Sequence, residues 1–376
     1  MSGIYIHIPF CKQACTYCNF HFTTSLRYKN ELVAALLSEL KLQHENKYLS
    51  GAPVESIYFG GGTPSLLDIN DIASITEAIH QQWNVNPAAE ITLEANPDDV
   101  SNEKLNGWKA AGINRLSIGI QSLYEEDLSW MNRAHTADEA RNVIEKARNA
   151  GFNQFSIDFI YGTPFLTDEQ WQEELEWVTQ QQIEHISCYA LTVEQQTPLA
   201  KKIEKKELQS VEAEKQSRQF LQLMQYMHEA GYEHYEISNF ALPGHRSKHN
   251  SSYWKGIPYL GIGPAAHSFN GSTRQWNVAN NQQYIRDIKN GIIPATTEEL
   301  TPVQQLNEYI MISIRTMEGS DLKKVDELRG TYNKQGFEQQ VNQFVATGWM
   351  LIENNSIILT KEGKLFADKI AADLFF

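Results

Sequence analysis

Two hydrophobic periods take turns along this chain. Short apolar runs of strand length occur at residues 4–8, 56–59, 90–94, 115–120, 155–160 and 185–191. Between them apolar residues recur every three or four positions, as Leu32, Leu36, Leu37 and Leu40 do within residues 28–43, which is the spacing of a helix with one buried face. Residues 137–150 and 168–181 read as helices in the same way. The result is a series of six βα-type units. Such alternation predicts an α/β fold built on a parallel sheet with right-handed crossovers, and ligands in such folds sit at the C-terminal ends of the strands. Six units suit a partial (β/α)6 barrel, open on one side.

The pattern changes after the sixth strand. Residues 212–231 predict a helix with Phe220, Met224 and Met227 on one stripe, a core-facing arrangement. Residues 242–272 are rich in Gly, Ser, Pro and His with little helical period and read as a functional loop region. From about residue 301, short helices at 304–315, 322–327 and 337–347 precede two short strands around Asn354 and Asn355, an order that resembles a winged helix. The expected organisation is therefore a barrel over residues 1–235, a loop-rich connection over 236–300 and a winged-helix-like domain over 301–376.

Charge and composition narrow the function. With 46 acidic against 32 basic residues the formal net charge is -14, which argues against nucleic acid as a partner. The longest clearly apolar runs, such as residues 32–37, fall far short of a membrane span, and no charged-then-apolar leader is evident at the start, so a cytoplasmic protein is expected. In a reducing compartment clustered thiols serve metals or redox chemistry rather than disulfides.

Three of the four cysteines, Cys11, Cys15 and Cys18, fall in the stretch CKQACTYC. A zinc site would need a fourth ligand, for which His7 or His21 stands near. A redox pair Cys15/Cys18 would leave Cys11 without a role. A cubane iron-sulfur cluster held by three thiolates keeps one iron open to a chelating substrate. Cys188 lies in the apolar run 186–191 and reads as a core residue.

The spacing CxxxCxxC of Cys11, Cys15 and Cys18 resembles that of the radical S-adenosylmethionine (SAM) superfamily. The resemblance implies a 4Fe-4S cluster whose open iron is chelated by the amino and carboxylate groups of SAM, with an electron from the cluster cleaving the sulfonium C–S bond. It also implies a barrel of the radical SAM type. The loop Gly60-Gly61-Gly62-Thr63-Pro64 follows a strand and resembles the glycine motif that meets the methionine amino group in the coproporphyrinogen-oxidase-like branch. Within that branch, Gly61, Gly62 and Thr63, together with Tyr5, Tyr17, Glu94, Gln121, Arg133, Asp158 and Ala190, match SAM-handling positions. Glu94 would accept from a ribose hydroxyl. Taken singly, each polar strand-end residue reads equally well as a cap or a salt bridge.

The resemblance spans the whole chain and has two finer forms. One is the oxygen-independent coproporphyrinogen III oxidase, which oxidatively decarboxylates two propionates. The other is the heme-chaperone group of the same branch, with heme as cargo. Oxidases of the branch show CxxxCxxCxC, whereas Phe20 stands two residues after Cys18, and the first strand begins almost at Met1, with no room for the oxidases' N-terminal extension. The stretch His249-Asn250-Ser251-Ser252-Tyr253-Trp254 matches the HNxxYW of the chaperones. A histidine beside two aromatics suits a porphyrin iron, which makes His249 the heme-ligand candidate, against the alternative of a hydrogen-bonded structural histidine. The partners implied are heme, heme-accepting proteins such as membrane respiratory enzymes, and an electron donor for the cluster. Whether the chain forms a homodimer is left open.

Overall fold

A computed structural model describes residues 1–46, 48–49, 51–330 and 334–376. Strands β1 (Ser2–Ile8), β2 (Val54–Gly61), β3 (Val85–Ala95), β4 (Arg115–Gln121), β5 (Phe155–Tyr161) and β6 (His185–Ala190) lie side by side in chain order. All neighbouring pairs among them are parallel. In β1, Ile4, Ile6 and Ile8 face the helical layer and are fully buried, while Tyr5 and His7, on alternate positions, take the inner face. The helix Lys29–Glu45 covers the outer face with Leu32, Leu36 and Leu40. The helices Ala137–Asn149 and Asp168–Gln180 both open with a capping box, Thr136 with Glu139 and Thr167 with Gln170, which satisfies their first backbone donors locally. The partial barrel expected from the hydrophobic pattern is present, with β3 beginning five residues before the apolar run at 90–94.

The stretch 236–300 is more ordered than its composition suggests. It carries strands that extend the sheet on both edges: β7 (Glu233–Glu236) and β8 (Asn239–Ala241) beyond β6, and β9 (Tyr259–Ile262), β10 (His267–Phe269), β11 (Thr273–Asn277) and β12 (Ala295–Glu299) beyond β1. The 12 strands run in the order β12-β11-β10-β9-β1-β2-β3-β4-β5-β6-β8-β7. β9 pairs parallel to β1, while the outer edge strands pair antiparallel. A short helix, Lys248–Trp254, holds the HNxxYW stretch.

One buried carboxylate ties this extension to the first βα unit. Glu39, fully buried in the helix Lys29–Glu45, accepts from the Gly263 amide at 2.8 Å, the Asn277 side-chain amide at 2.7 Å and the Tyr284 hydroxyl at 2.5 Å. Burial raises its pKa, and these donors oppose that shift. Its loss would strand buried donors at about 1–3 kcal/mol each.

The last part of the chain has its own apolar core, built on Leu306, Ile310, Val325, Phe344, Met350 and Ile357 among others. There a small sheet in the order β13-β15-β14 (Ser320–Asp321, Ser356–Leu359, Met350–Glu353) packs with the helices Pro302–Ser313, Leu322–Arg329 and Lys334–Ala346. It meets the barrel through Met317 N–H to Tyr235 O at 3.1 Å and Lys364 Nζ to His234 Nδ1 at 2.9 Å, and through the ion pair of Arg274 with Glu308.

Candidate functional site

Cys11, Cys15 and Cys18 sit half-buried in the loop that leaves the C-terminal end of β1. The loop makes few regular hydrogen bonds of its own and is held from outside. Thr16 N–H donates to Met131 O at 3.0 Å and its hydroxyl to Trp130 O at 3.3 Å. Gln13 Nε2 donates to Asn132 Oδ1 at 2.8 Å, and Asn132 Nδ2 returns a bond to Ala14 O at 2.7 Å. Asn132 takes φ of 58°, a left-handed conformation that Asn tolerates better than most residues. The turn 130–133 is thus a clamp on the cysteine loop.

Arg133, next in that turn, reaches the thiols themselves. Its Nη1 lies 3.4 Å from Cys15 Sγ, and its Nη2 donates to Asn96 Oδ1 at 2.6 Å and Gly119 O at 2.9 Å. Its Nε is buried without a partner among the described residues. A guanidinium fixed this way offers a charge-assisted donor to a thiolate. Asn96, which no sequence pattern singles out, also donates to Thr63 Oγ1 at 3.4 Å and so joins the glycine loop to Arg133.

The glycine loop abuts the start of the cysteine loop. Gly62 N–H donates to Ile8 O at 2.8 Å, and Thr63 N–H donates to Phe10 O at 2.6 Å. A Cβ on Gly62 would come within 2.6 Å of Phe10 O, and Gly61 has φ of 105° with the His7 ring 2.5 Å from where a Cβ would stand. The glycines are needed, first of all, for this backbone-to-backbone approach. Burial pushes the Cys11 thiol up to about 11, opposed by a hydrogen bond to Thr63.

The remaining predicted residues gather on the inner face. Tyr58 donates to Glu94 Oε1 at 2.8 Å, and burial pushes the Glu94 carboxyl up to about 7. Burial likewise raises Asp158 to about 6, opposed by Ser187, Arg115 and Ser117. Gln121 ends β4 with φ of 68°, a strained conformation for a non-glycine residue. Tyr17 lies in the cysteine loop beside Arg133 and Cys15. Tyr5 OH contacts His7 Nδ1 at 3.2 Å, and Ala190 is exposed at the end of β6. The structure brings these residues to one end and one face of the barrel.

The donor set can be tested against the groups it might hold. Three soft thiolates on one loop, with a cation against one sulfur, fit an iron-sulfur cluster. The zinc alternative needs a histidine, but His7 Nε2 bonds to His21 O at 3.0 Å with Nδ1 on Tyr5, and His21 Nε2 bonds to Asn281 Oδ1 at 2.7 Å. Cys188 is buried in the core.

His249 requires a correction. It is 2 % exposed, its Nδ1 lies 2.9 Å from Ser56 Oγ and its Nε2 3.0 Å from Tyr253 OH. Its ring stacks on Tyr58 with centroids 4.9 Å apart, and burial lowers its pKa to about 4. Both nitrogens are committed, so in this structure the histidine is a prop beneath the barrel and not an available iron ligand. Glu90 fixes its helix by accepting from the Lys248 and His249 amides, each at 3.0 Å, a carboxylate at a helix N-terminus.

Comparison with known proteins bears on the family. The sequence profile of the Radical SAM superfamily matches residues 5–178. The Bacillus subtilis protein named heme chaperone HemW is 32% identical over 374 residues, covering 98% of each chain. The Mycobacterium tuberculosis protein of the same name is 30% identical over 377 residues, 99% of this chain and 94% of that one. The chain belongs to the HemW family of radical SAM proteins. A mouse relative, a mitochondrial radical S-adenosyl methionine domain-containing protein 1, is 29% identical over 99% of this chain and 87% of its own. The fold is that of HemN, the coproporphyrinogen III oxidase of Escherichia coli, whose structure superposes with a TM-score of 0.84 at 21% identity over 100% of this chain and 90% of that one. Family membership implies a 4Fe-4S cluster and SAM.

With the cysteine loop as cluster site, Cys11→Ser, Cys15→Ser and Cys18→Ser should each lose most of the iron and sulfide of the anaerobically reconstituted protein. Cys188→Ser should keep a full complement. Iron and acid-labile sulfide analysis with absorbance spectra checks this, and a full cluster in Cys11→Ser would refute the assignment.

Proposed function

We propose that this protein binds heme and delivers it to acceptor hemoproteins, with a SAM-binding 4Fe-4S cluster at the mouth of its barrel. The observation that carries the reading is the end-to-end similarity to proteins named heme chaperone HemW, 98% of both chains in the Bacillus case. Cys11, Cys15 and Cys18 would hold the cluster, which when bound supplies the electron for SAM chemistry. Tyr5, Tyr17, Gly61, Gly62, Thr63, Glu94, Gln121, Arg133, Asp158 and Ala190 would surround SAM. Because the Gly62 amide already donates to Ile8 O at the end of β1 and the Thr63 amide to Phe10 O in the cysteine loop, the methionine amino group would need carbonyl acceptors from the glycine loop. Arg133 would hold the Cys15 sulfur and keep water from it. The proposed partners are heme, heme-accepting proteins including membrane respiratory enzymes, and an electron donor. Among the described residues, no helix is long and apolar enough to cross a membrane.

The runner-up is coproporphyrinogen III oxidase activity, in line with the shared fold. Phe20, 67% exposed, stands where the oxidase pattern has a further cysteine. The purified protein should bind hemin saturably at about one per chain and form no protoporphyrinogen IX from coproporphyrinogen III under anaerobic, reducing conditions with SAM. Robust protoporphyrinogen IX formation would replace the chaperone reading by the oxidase.

Glu94 supplies a pH test of the SAM site. With its pKa raised to about 7, the residue is a neutral acid below that pH and a carboxylate, the better acceptor for ribose hydroxyls, above it. SAM affinity should therefore rise from pH 6 to pH 8, by up to about tenfold per unit on the acid side. Glu94→Gln should weaken binding and flatten the profile. A wild-type affinity independent of pH over that range would contradict the role.

A further inference from the structure

If the protein carries heme and His249 is a prop, the iron needs another ligand. Among the described residues, His267 has the required setting. It is exposed, and no hydrogen bond to its ring nitrogens is found among the described residues. It lines a cavity of about 700 Å³ together with Trp276, Val278, Ile292 and Pro294, within the roughly 300–1,000 Å³ usual for small-molecule sites. Ile292 is 59% exposed, an apolar wall left open to solvent among the described residues.

The pairing of β10 with β11 sets the chemistry of this wall. His267 opposes Trp276 and Phe269 opposes Arg274, and directly opposed residues share a face, as do alternate residues along a strand. One face of the hairpin thus presents imidazole, indole, phenyl and guanidinium together. The His267 and Trp276 rings stack with centroids 6.3 Å apart at 25°, and Arg274 lies over the Phe269 ring at 5.2 Å. A porphyrin wants this combination: a nitrogen ligand for iron, flat aromatic contact for the macrocycle and a cation for the propionates. Arg274 already pairs with Glu308, so a propionate would share it. Asp287, across the cavity, disfavours propionates there, whereas Arg274 and Phe269 line a second cavity further along the hairpin, where a propionate would meet the cation. The wall also adjoins the cysteine loop, since His21 bonds to Asn281 at the start of the helix Asn281–Lys289, whose Gln283 and Asp287 line the cavity.

We propose that the face of the β10–β11 hairpin is the heme-carrying surface, with the His267 imidazole as axial ligand to ferric heme. The inference rests on the heme-carrying reading above. Binding exchanges a water on ferric iron for a ring-nitrogen lone pair. The ring keeps its one proton on the other nitrogen, and no electron moves. An open wall of this kind suits a carrier that must release its cargo.

The test is titration of the reconstituted full-length protein with ferric hemin, read by the Soret band. His267→Ala should displace the Soret band and weaken binding about tenfold or more, with cluster content and thermal midpoint unchanged, and added imidazole should restore the wild-type spectrum. His249→Ala should lower the thermal midpoint while keeping the wild-type Soret position in the folded protein. A Soret position and affinity unchanged in His267→Ala would overturn this site and leave heme carriage standing. Failure of the wild-type protein to bind hemin would overturn heme carriage itself, and this site with it.

Discussion

The structure turns on a loop that cannot hold itself. For three thiols to serve one cluster they must be held together on a short irregular segment, and such a segment has few backbone bonds to spend on its own rigidity. Here the rigidity comes from the turn 130–133, through Thr16, Gln13 and Asn132, and from Arg133 on Cys15. Arg133 is itself fixed by Asn96 and Gly119. The clamp therefore draws on β1, β3 and β4 together, and only a folded barrel can assemble it.

The buried carboxylates divide by the donors around them. Glu39 and Glu90 are each met by two or more donors from distant segments, which identifies them as anchors of the sheet extension and of the His249 helix. Glu94 and Asp158 face the barrel's inner side with fewer donors, and burial pushes both carboxyls towards neutral pH. Carboxyls held near neutral pKa where ligands bind in this fold are ones that a polar cofactor could engage.

Much of the architecture was legible because β1 to β6 contrast sharply with the amphipathic helices between them. The cysteine spacing was legible because thiols at that density need a joint explanation. The edge strands were not: TRQWN and ATTEE are short and polar, their burial is partial, and their order comes from pairing that no local period reveals. Glu39 looks like a surface residue of an amphipathic helix, since its donors Gly263, Asn277 and Tyr284 lie more than two hundred residues away. Asn96 and Asn132 gave no signal beyond being turn residues. For His249 the motif correctly marked a special position, but spacing could not reveal that Ser56 and Tyr253 occupy both ring nitrogens.

A carrier must deliver heme as well as bind it. The direct measurement is to load the protein with heme, mix it with heme-free membrane vesicles containing apo forms of respiratory hemoproteins, and follow heme-dependent oxidase activity and the spectrum of both fractions. Heme should leave this protein, and acceptor activity should rise faster than with an equal amount of free hemin. Heme that stays on the protein while the acceptors remain inactive would contradict delivery.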